Sequence, residues 1–432
     1  MRRSILLIGL ATMVAACGGD GAATTTTTAP SPTVTEPTVP ATTPTTAVAE
    51  IPSPAGTLVV WVSDPDVADA VSERGEIYTA ATGVEVYVVT ISSAPGDDFL
   101  DELLAGAIPE PPEGVDPPEI PGDLRRTPDL VIGPHTWLAE LAEAGLAGPV
   151  DLPDGLPAGA VDAVTLRGFT VGVPVALDAI VQYRNPDLMA EAPSDVSDVS
   201  CAESAACLLL PGDGDTDIHL PFLLSLGGYV FGPDSDAGFA RDDVGIASTE
   251  AIASAAILQG LLEEGAVDTA VDRADARSRF EAGEAALVWD GAGALGLPGL
   301  VEPLPTIGSS PAVSPVRVTA VWVNASGAFE TEAAEFAVEH LGSVTGSAAI
   351  ARALGQAPMW PDGASDRERV IITAAETGAP VAYIPGYDAA WEAIAEAFSR
   401  IHAGTSAGDA LTDAADQVRF ADQGSGSITR PL

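Results

Sequence analysis

Residues 168–189, GFTVGVPVALDAIVQYRNPDLM, constrain the fold more than any other stretch of the chain. Two apolar runs of strand length flank one carboxylate, Asp178. The first, Thr170 to Pro174, reads as a strand that ends at its proline, which has no N–H to give a sheet ladder. The second, residues 179–183, stops at Asn185-Pro186-Asp187. A lone acid between two buried strands predicts a segment crossing between two bodies of protein, with Asp178 facing the crevice between them.

The rest of the chain must supply those bodies. Residues 58–62, LVVWV, form a continuous apolar run, as expected of a strand buried on both faces. A capped helix over 67–82, a strand over 84–90, a helix over 99–107, a loop over 108–127, a strand over 128–132 and a helix over 135–144 follow. Strand alternating with helix is the pattern of an α/β layer with a parallel sheet, whose ligands sit at the carboxyl ends of the strands. Those ends are residues 63–66 and 133–137. Beyond the crossing, the pattern predicts helices from Ser248 to Gly265 and over 274–282, strands over 285–289 and 318–324, and helices over 331–341, 348–354, 388–402 and 407–418. Residues 419–432 read as a polar tail.

The chain begins with Arg2 and Arg3, a short apolar run over residues 5–14, and Ala15-Ala16-Cys17. This is the pattern of an exported protein's signal segment, and a cysteine after small residues resembles the lipobox of bacterial lipoproteins. Lipid-modified Cys17 would then hold the chain on the extracytoplasmic face of the cell membrane. Residues 18–54, rich in Thr, Pro and Ala, lack the large side chains needed to fold and read as a disordered tether. There are 62 acids against 18 bases, every base is arginine, and the formal charge is -44. That charge excludes nucleic acid and anionic lipid surfaces as partners for the folded part. Cys201 and Cys207 read as a disulfide closing a small loop.

Several stretches, taken in order, resemble the extracellular solute-binding proteins of ABC importers, in the family that includes maltose-binding protein. They are TLVVWVS, PDLVIGPHTWLAELAEAGLAGPVD, GFTVGVPVALDAIVQYRNPDLM, FLLSLGGYVF, ARSRFEAGEAALVWDGAG and YIPGYDAAWEAIAEAF. The resemblance implies a two-lobed, periplasmic-binding-protein-like α/β fold of type II, each lobe a sheet flanked by helices, with a ligand cleft between them. Residues 55–176 plus 321–366 would form lobe I, and 181–314 plus 367–418 lobe II. It implies a receptor that captures a small solute, a sugar or oligosaccharide above all, and delivers it as a monomer to the permease subunits of an ABC transporter, with no cofactor.

The resemblance also places residues. Asp178 stands where the sugar-binding members hold a hydroxyl, and Trp391 where they stack an indole under a pyranose ring. Ser63 and Asp66 lie where they contact hydroxyls. Asp215 and Asp217 lie where they carry an acid and a tyrosine. Trp137 and Tyr387 complete the candidate ligand set. Gly293 stands where they usually have a tryptophan, and Gly133 replaces another, so maltodextrin in particular is not implied. The acids at 213–217 also present oxygens suited to a cation, without the full calcium-loop signature. The four histidines are scattered, without metal-ligand spacing.

No zinc-protease helix or phosphate-binding loop with its lysine occurs, so the chain reads as a binding protein and not an enzyme. The alternatives are an envelope lipoprotein without a transporter, and a glycoside hydrolase using paired carboxylates.

Overall fold

β1 (Thr57–Val62) buries every side chain from Leu58 to Val62, as its unbroken apolar run requires. Asp64 then caps α1 (Pro65–Thr82) by accepting the N–H groups of Asp66 and Val67, and Pro65 supplies a first turn with no N–H to satisfy. Gly83 closes the helix in the left-handed region, at φ +79°. β2 (Glu85–Thr90) and β3 (Leu130–Pro134) lie parallel to β1 on either side of it. This computed structural model describes residues 56–62, 64–91, 127–200, 206–234, 238–327, 329–382 and 387–424. The expected signal segment, lipobox and tether fall outside those residues, as do the helix at 99–107 and nearly all of the loop at 108–127.

The crossing stretch forms β4 (Val173–Ala179) and β5 (Val181–Arg184), which belong to different sheets. Beyond it come β6 (Ala206–Pro211), α2 (Thr216–His219), α3 (Thr249–Glu264), β7 (Val267–Ala270), α4 (Arg273–Glu281), β8 (Ala285–Asp290) and β9 (Leu300–Glu302). The chain then returns as β10 (Pro315–Val323), α5 (Val344–Leu354), β11 (Ala357–Pro358), α6 (Asp366–Thr377) and β12 (Ala379–Pro380). It ends in α7 (Tyr387–His402) and α8 (Ala407–Gly424). The helix of α8 runs past Val418, so the polar tail expected from residue 419 begins later: Arg419 pairs with Asp416 within it and reaches the Val244 carbonyl.

Two sheets result. The first has the order β11-β4-β10-β3-β1-β2, with β12 also on β10; the second has the order β7-β6-β8-β5-β9. Each mixes parallel pairs with antiparallel ones made by the returning strands β10 and β5. In the second, Arg184 grips Glu302 with two parallel bonds of 2.8 and 2.7 Å and the Met189 and Ala190 carbonyls with its third nitrogen. α7 packs Ala390, Ala393, Ile394, Ala397, Phe398 and Ile401 into the core of that lobe, a stripe at helical spacing.

One expectation about the crossing fails. Pro174 does not end a strand; β4 runs through it. Thr319 pairs with Ala176 and Ala320 with Pro174, so Val175 is an extra residue in the ladder. A bulge is where a strand tolerates the missing proline N–H.

The lobes are joined by three neighbouring passages. The Ile180 N–H donates to Ser314 Oγ at 2.7 Å, the Ala379 N–H to the Ser314 carbonyl at 2.9 Å, and the Val381 N–H to the Val316 carbonyl at 3.1 Å. The last passage therefore follows β12. α6 packs on β4, with Ile371, Ile372 and Ala375 in the core beside Val316. Residues 367–380 thus lie with the first sheet, where the sequence reading assigned them to the second lobe.

Candidate functional site

Asp178 is the next-to-last residue of β4, on the seam between the lobes. Its Oδ1 accepts the backbone N–H of Ala292 at 2.6 Å, and the carboxylate packs against Gly291, where a Cβ would stand 2.4 Å from it. Burial drives its pKa up to about 6, against the opposing pull of the Ala292 N–H and the Arg273 charge. Opposite it in the ladder is Arg317 on β10.

Arg317 reaches across the seam. Its Nε donates to Asp217 Oδ1 at 2.8 Å, and its guanidinium carbon lies 4.8 Å from the ring centroid of Trp391. Asp217 is in the first turn of α2 and Trp391 in α7, tied together by the Thr216 hydroxyl donating to the Trp391 carbonyl at 2.9 Å. Asp178, Asp217 and Trp391, singled out in the sequence, are thus gathered around one arginine that was not.

Asp215 caps α2 by accepting the Ile218 N–H, and its other oxygen lies 3.7 Å from Arg273. Burial raises its pKa despite that arginine. Arg273 and Arg277, one turn apart on α4, both clamp Asp290 at the end of β8, which is almost completely buried. Burial alone would raise the Asp290 pKa, but the bonds from Arg277 and the charge of Arg273 outweigh it and hold the carboxyl below its usual range. These residues had no signal beyond a charged helix face and an acid at the end of an apolar strand. Among the described residues no three metal-ligating side chains converge, and the acids at 213–217 are committed to caps and arginines.

The other candidates divide. Asp66 is exposed in the first turn of α1; the cavity of about 190 Å³ at the ends of β1 and β3 is lined instead by Asp64, Gly133, Pro134 and Thr319. Trp137 lies at that same strand end, but its ring covers Gly133, whose added Cβ would stand 2.1 Å from it. Ser63 and Cys201 fall outside the described residues, and of Tyr387 only its place at the start of α7 is described. Cys207 is disulfide-bonded. The histidines are not all scattered: His219 and His402, 183 positions apart, meet Nε2 to Nε2 at 2.9 Å.

A second cavity, of about 590 Å³, opens beside Asp178, between the 3-10 turn Ala292–Ala294 of the second lobe and α5 and α6 of the first. Its lining includes Ala292, Gly293, Arg352, Gln356, Ser365 and Glu368. The Thr319 hydroxyl, on the wall of the first cavity, donates to Gln356 Oε1 on the wall of this one at 3.0 Å. An aromatic ring, carboxylates and a guanidinium thus meet on the seam between the lobes, near this cavity through the Asp178–Ala292 bond.

Fold and cleft are those of a two-lobed substrate-binding protein. The chain belongs to the bacterial extracellular solute-binding protein family, whose model matches residues 65–337. It is similar to the maltooligosaccharide ABC transporter solute-binding lipoprotein of Streptococcus pneumoniae: 25% identical to that of strain R6 and 24% to that of strain TIGR4, each over 195 residues, 41% of this chain. The match spans 45% of the length of each relative. Two solved structures share the fold. A cyclo/maltodextrin-binding protein complexed with maltotetraose superposes with a TM-score of 0.71 at 21% identity, covering 85% of this chain and 97% of that one. An extracellular solute-binding protein from Staphylococcus aureus in complex with maltose gives 0.73 at 17% identity, covering 86% and 99%.

Proposed function

We propose that this protein is an extracytoplasmic receptor that captures a saccharide between its lobes and hands it, unchanged, to the permease subunits of an ABC transporter. The observation that carries the reading is the grouping of Trp391, Asp178, Asp217 and Arg317 on the seam between the lobes. An indole offers a π-face to sugar C–H groups, carboxylates accept hydroxyl protons, and a guanidinium donates to ring and hydroxyl oxygens. The names of the pneumococcal relatives, and the sugars in the two superposed structures, support the same class of solute. Lobe closure then converts solute binding into a shape the permease can read. Lipid attached at Cys17, with residues 18–54 as spacer, would hold this monomer at the membrane.

The reading is tested by thermal shift and calorimetry on the purified protein with maltooligosaccharides, other oligosaccharides, polyols and amino acids. A saccharide raises the unfolding midpoint, and Asp178→Asn and Trp391→Ala each reduce that rise at a fixed solute concentration. Turnover of the bound sugar would instead make the chain a carboxylate-based hydrolase. A response to amino acids alone would remove the saccharide.

A further inference from the structure

Acids outnumber bases by more than three to one in this chain, so an arginine without a carboxylate is the exception. Nine of the described arginines make ion pairs, among them Arg74, Arg184, Arg273, Arg277 and Arg317. Arg167 and Arg241 have partners as well. Among the described residues that leaves Arg352, which lines the cavity of about 590 Å³ beside Asp178, and Arg367, whose chain neighbours Ser365 and Glu368 line it. Arg352, in the last turn of α5, lines it directly. Arg367 lies between two of its lining residues, Ser365 and Glu368, in the first turn of α6, with its guanidinium 5.8 Å from the ring centroid of Tyr183. The Nε and Nη2 groups of Arg367 are buried and meet no acceptor among the described residues, an arrangement that leaves a charged donor's hydrogen bonds unmade.

Other walls of the cavity point the same way. Arg277 stands behind Gly293, its Nη2 3.3 Å from where a Cβ there would lie. Gln356 spends its carbonyl on the Thr319 hydroxyl, which leaves its amide hydrogens to donate. The one lining acid, Glu368, is turned back to accept the Ser365 N–H at 2.6 Å.

We infer that this second cavity receives a negatively charged substituent, so that the solute is an acidic saccharide: a uronate, or a sugar bearing sulfate or phosphate. The inference rests on the saccharide reading above and narrows it. Asp178 and Trp391 take the neutral ring, while Arg352 and Arg367 take the anion, for which a planar guanidinium is well shaped. The chain's overall charge opposes an anionic solute only at long range, because at physiological ionic strength it is screened within about 8 Å. Inside the cavity the nearest uncommitted groups are donors.

The test is calorimetric titration of the purified protein with a neutral oligosaccharide, the matching oligouronide, and sulfated and phosphorylated sugars, repeated on Arg352→Gln, Arg367→Gln and Arg367→Lys. One acidic sugar binds at least about tenfold tighter than its neutral counterpart, the size of one charge-assisted contact. The ratio falls toward one in each Gln variant and is partly kept in Arg367→Lys, with unfolding midpoints that show all three variants folded. Which acidic sugar wins separates carboxylate from sulfate and phosphate. Neutral sugars binding as tightly as acidic ones, with a ratio the variants do not change, would overturn this inference and leave the saccharide receptor standing. Binding of no sugar of either kind would overturn both.

Discussion

Arg317, on the central returning strand of the first lobe, donates to Asp217 of the second at 2.8 Å while its guanidinium lies 4.8 Å from the centre of the Trp391 ring. One side chain thus makes both an ion pair and a cation–π contact across the seam. Each is partly exposed and worth about 1 kcal/mol or less to stability. Yet lobe separation needs only such small energies, since two arrangements of a hinged protein differ by a few kcal/mol. Arg317→Ala should therefore lower the unfolding midpoint little but shift the lobes apart. Small-angle scattering would show a larger radius of gyration, reversed by saturating ligand. An unchanged radius would mean that the lobes are held elsewhere.

Gly291 is the tightest point of the site. A methyl there would stand 2.4 Å from Asp178 Oδ1, so in Gly291→Ala the carboxylate must swing away and lose the Ala292 N–H that it accepts at 2.6 Å. The obstructing atom is the end of a short side chain and not backbone, so the fold survives at a cost of about 1–2 kcal/mol. Solute affinity should fall at least about tenfold, as in Asp178→Asn. Wild-type affinity in Gly291→Ala would show that the position of Asp178 does not matter to binding.

Asp290 holds two cations with one buried carboxylate. Asp290→Asn removes the charge and leaves Arg273 and Arg277 facing each other on α4 with their partner gone. Breaking such a buried network costs about 3–5 kcal/mol. Denaturant titration should show that loss in the midpoint concentration. A change below about 1 kcal/mol would mean that the two arginines find water or Asp215 as easily.

Much of this was legible before the structure, and the remainder was not for identifiable reasons. The run LVVWV and the cap-and-glycine punctuation of α1 are local signals, and both appear where local chemistry puts them. Asp178 stood out because its neighbours are apolar. Arg317 did not, because PVRVTAVWV reads as a strand with one outward base, and its partners Asp217 and Trp391 lie 100 and 74 positions away in sequence, with opposite directions along the chain. Arg273 and Arg277 read as a solvated helix face until the end of β8 is brought beneath them. The choice of Asp64 over Asp66 was open to a closer reading: Pro65 occupies the first helical position, which makes the residue before it the cap. The last passage between lobes could not be read, because α6 carries no mark of which sheet it covers.

Acid should loosen this protein in a window set by three histidines. His135 is buried; its Nε2–H donates to the Val381 carbonyl at 2.9 Å and its Nδ1 accepts the Val318 N–H at 3.2 Å, an arrangement that fixes the neutral ring. Burial takes its pKa down to about 4. His219 falls to about 3 through burial and then the charge of His402, and His402 to about 4 through burial, against the pull of Asp213. Each folded value lies below the unfolded one, near 6.5, so the unfolded chain binds the extra proton first. Their contribution is complete above about pH 6.5 and is lost as the pH falls toward 4. Asp178 has the opposite sign: its raised pKa, about 6, gives stability below the unfolded value near 3.8 that is lost as the pH rises through 6. Asp215, also raised by burial, shares that sign, and two carboxyls against three imidazoles leave the net slope with the histidines. The unfolding midpoint should drop between pH 6.5 and 4.5, and His135→Gln should drop less over that interval, although it is less stable at pH 7. Equal slopes in the two proteins would mean that His135 is not the group being titrated. Solute affinity should fall over the same interval for a different reason, since protonated Asp178 has lost its charge, and Asp178→Asn should abolish that dependence.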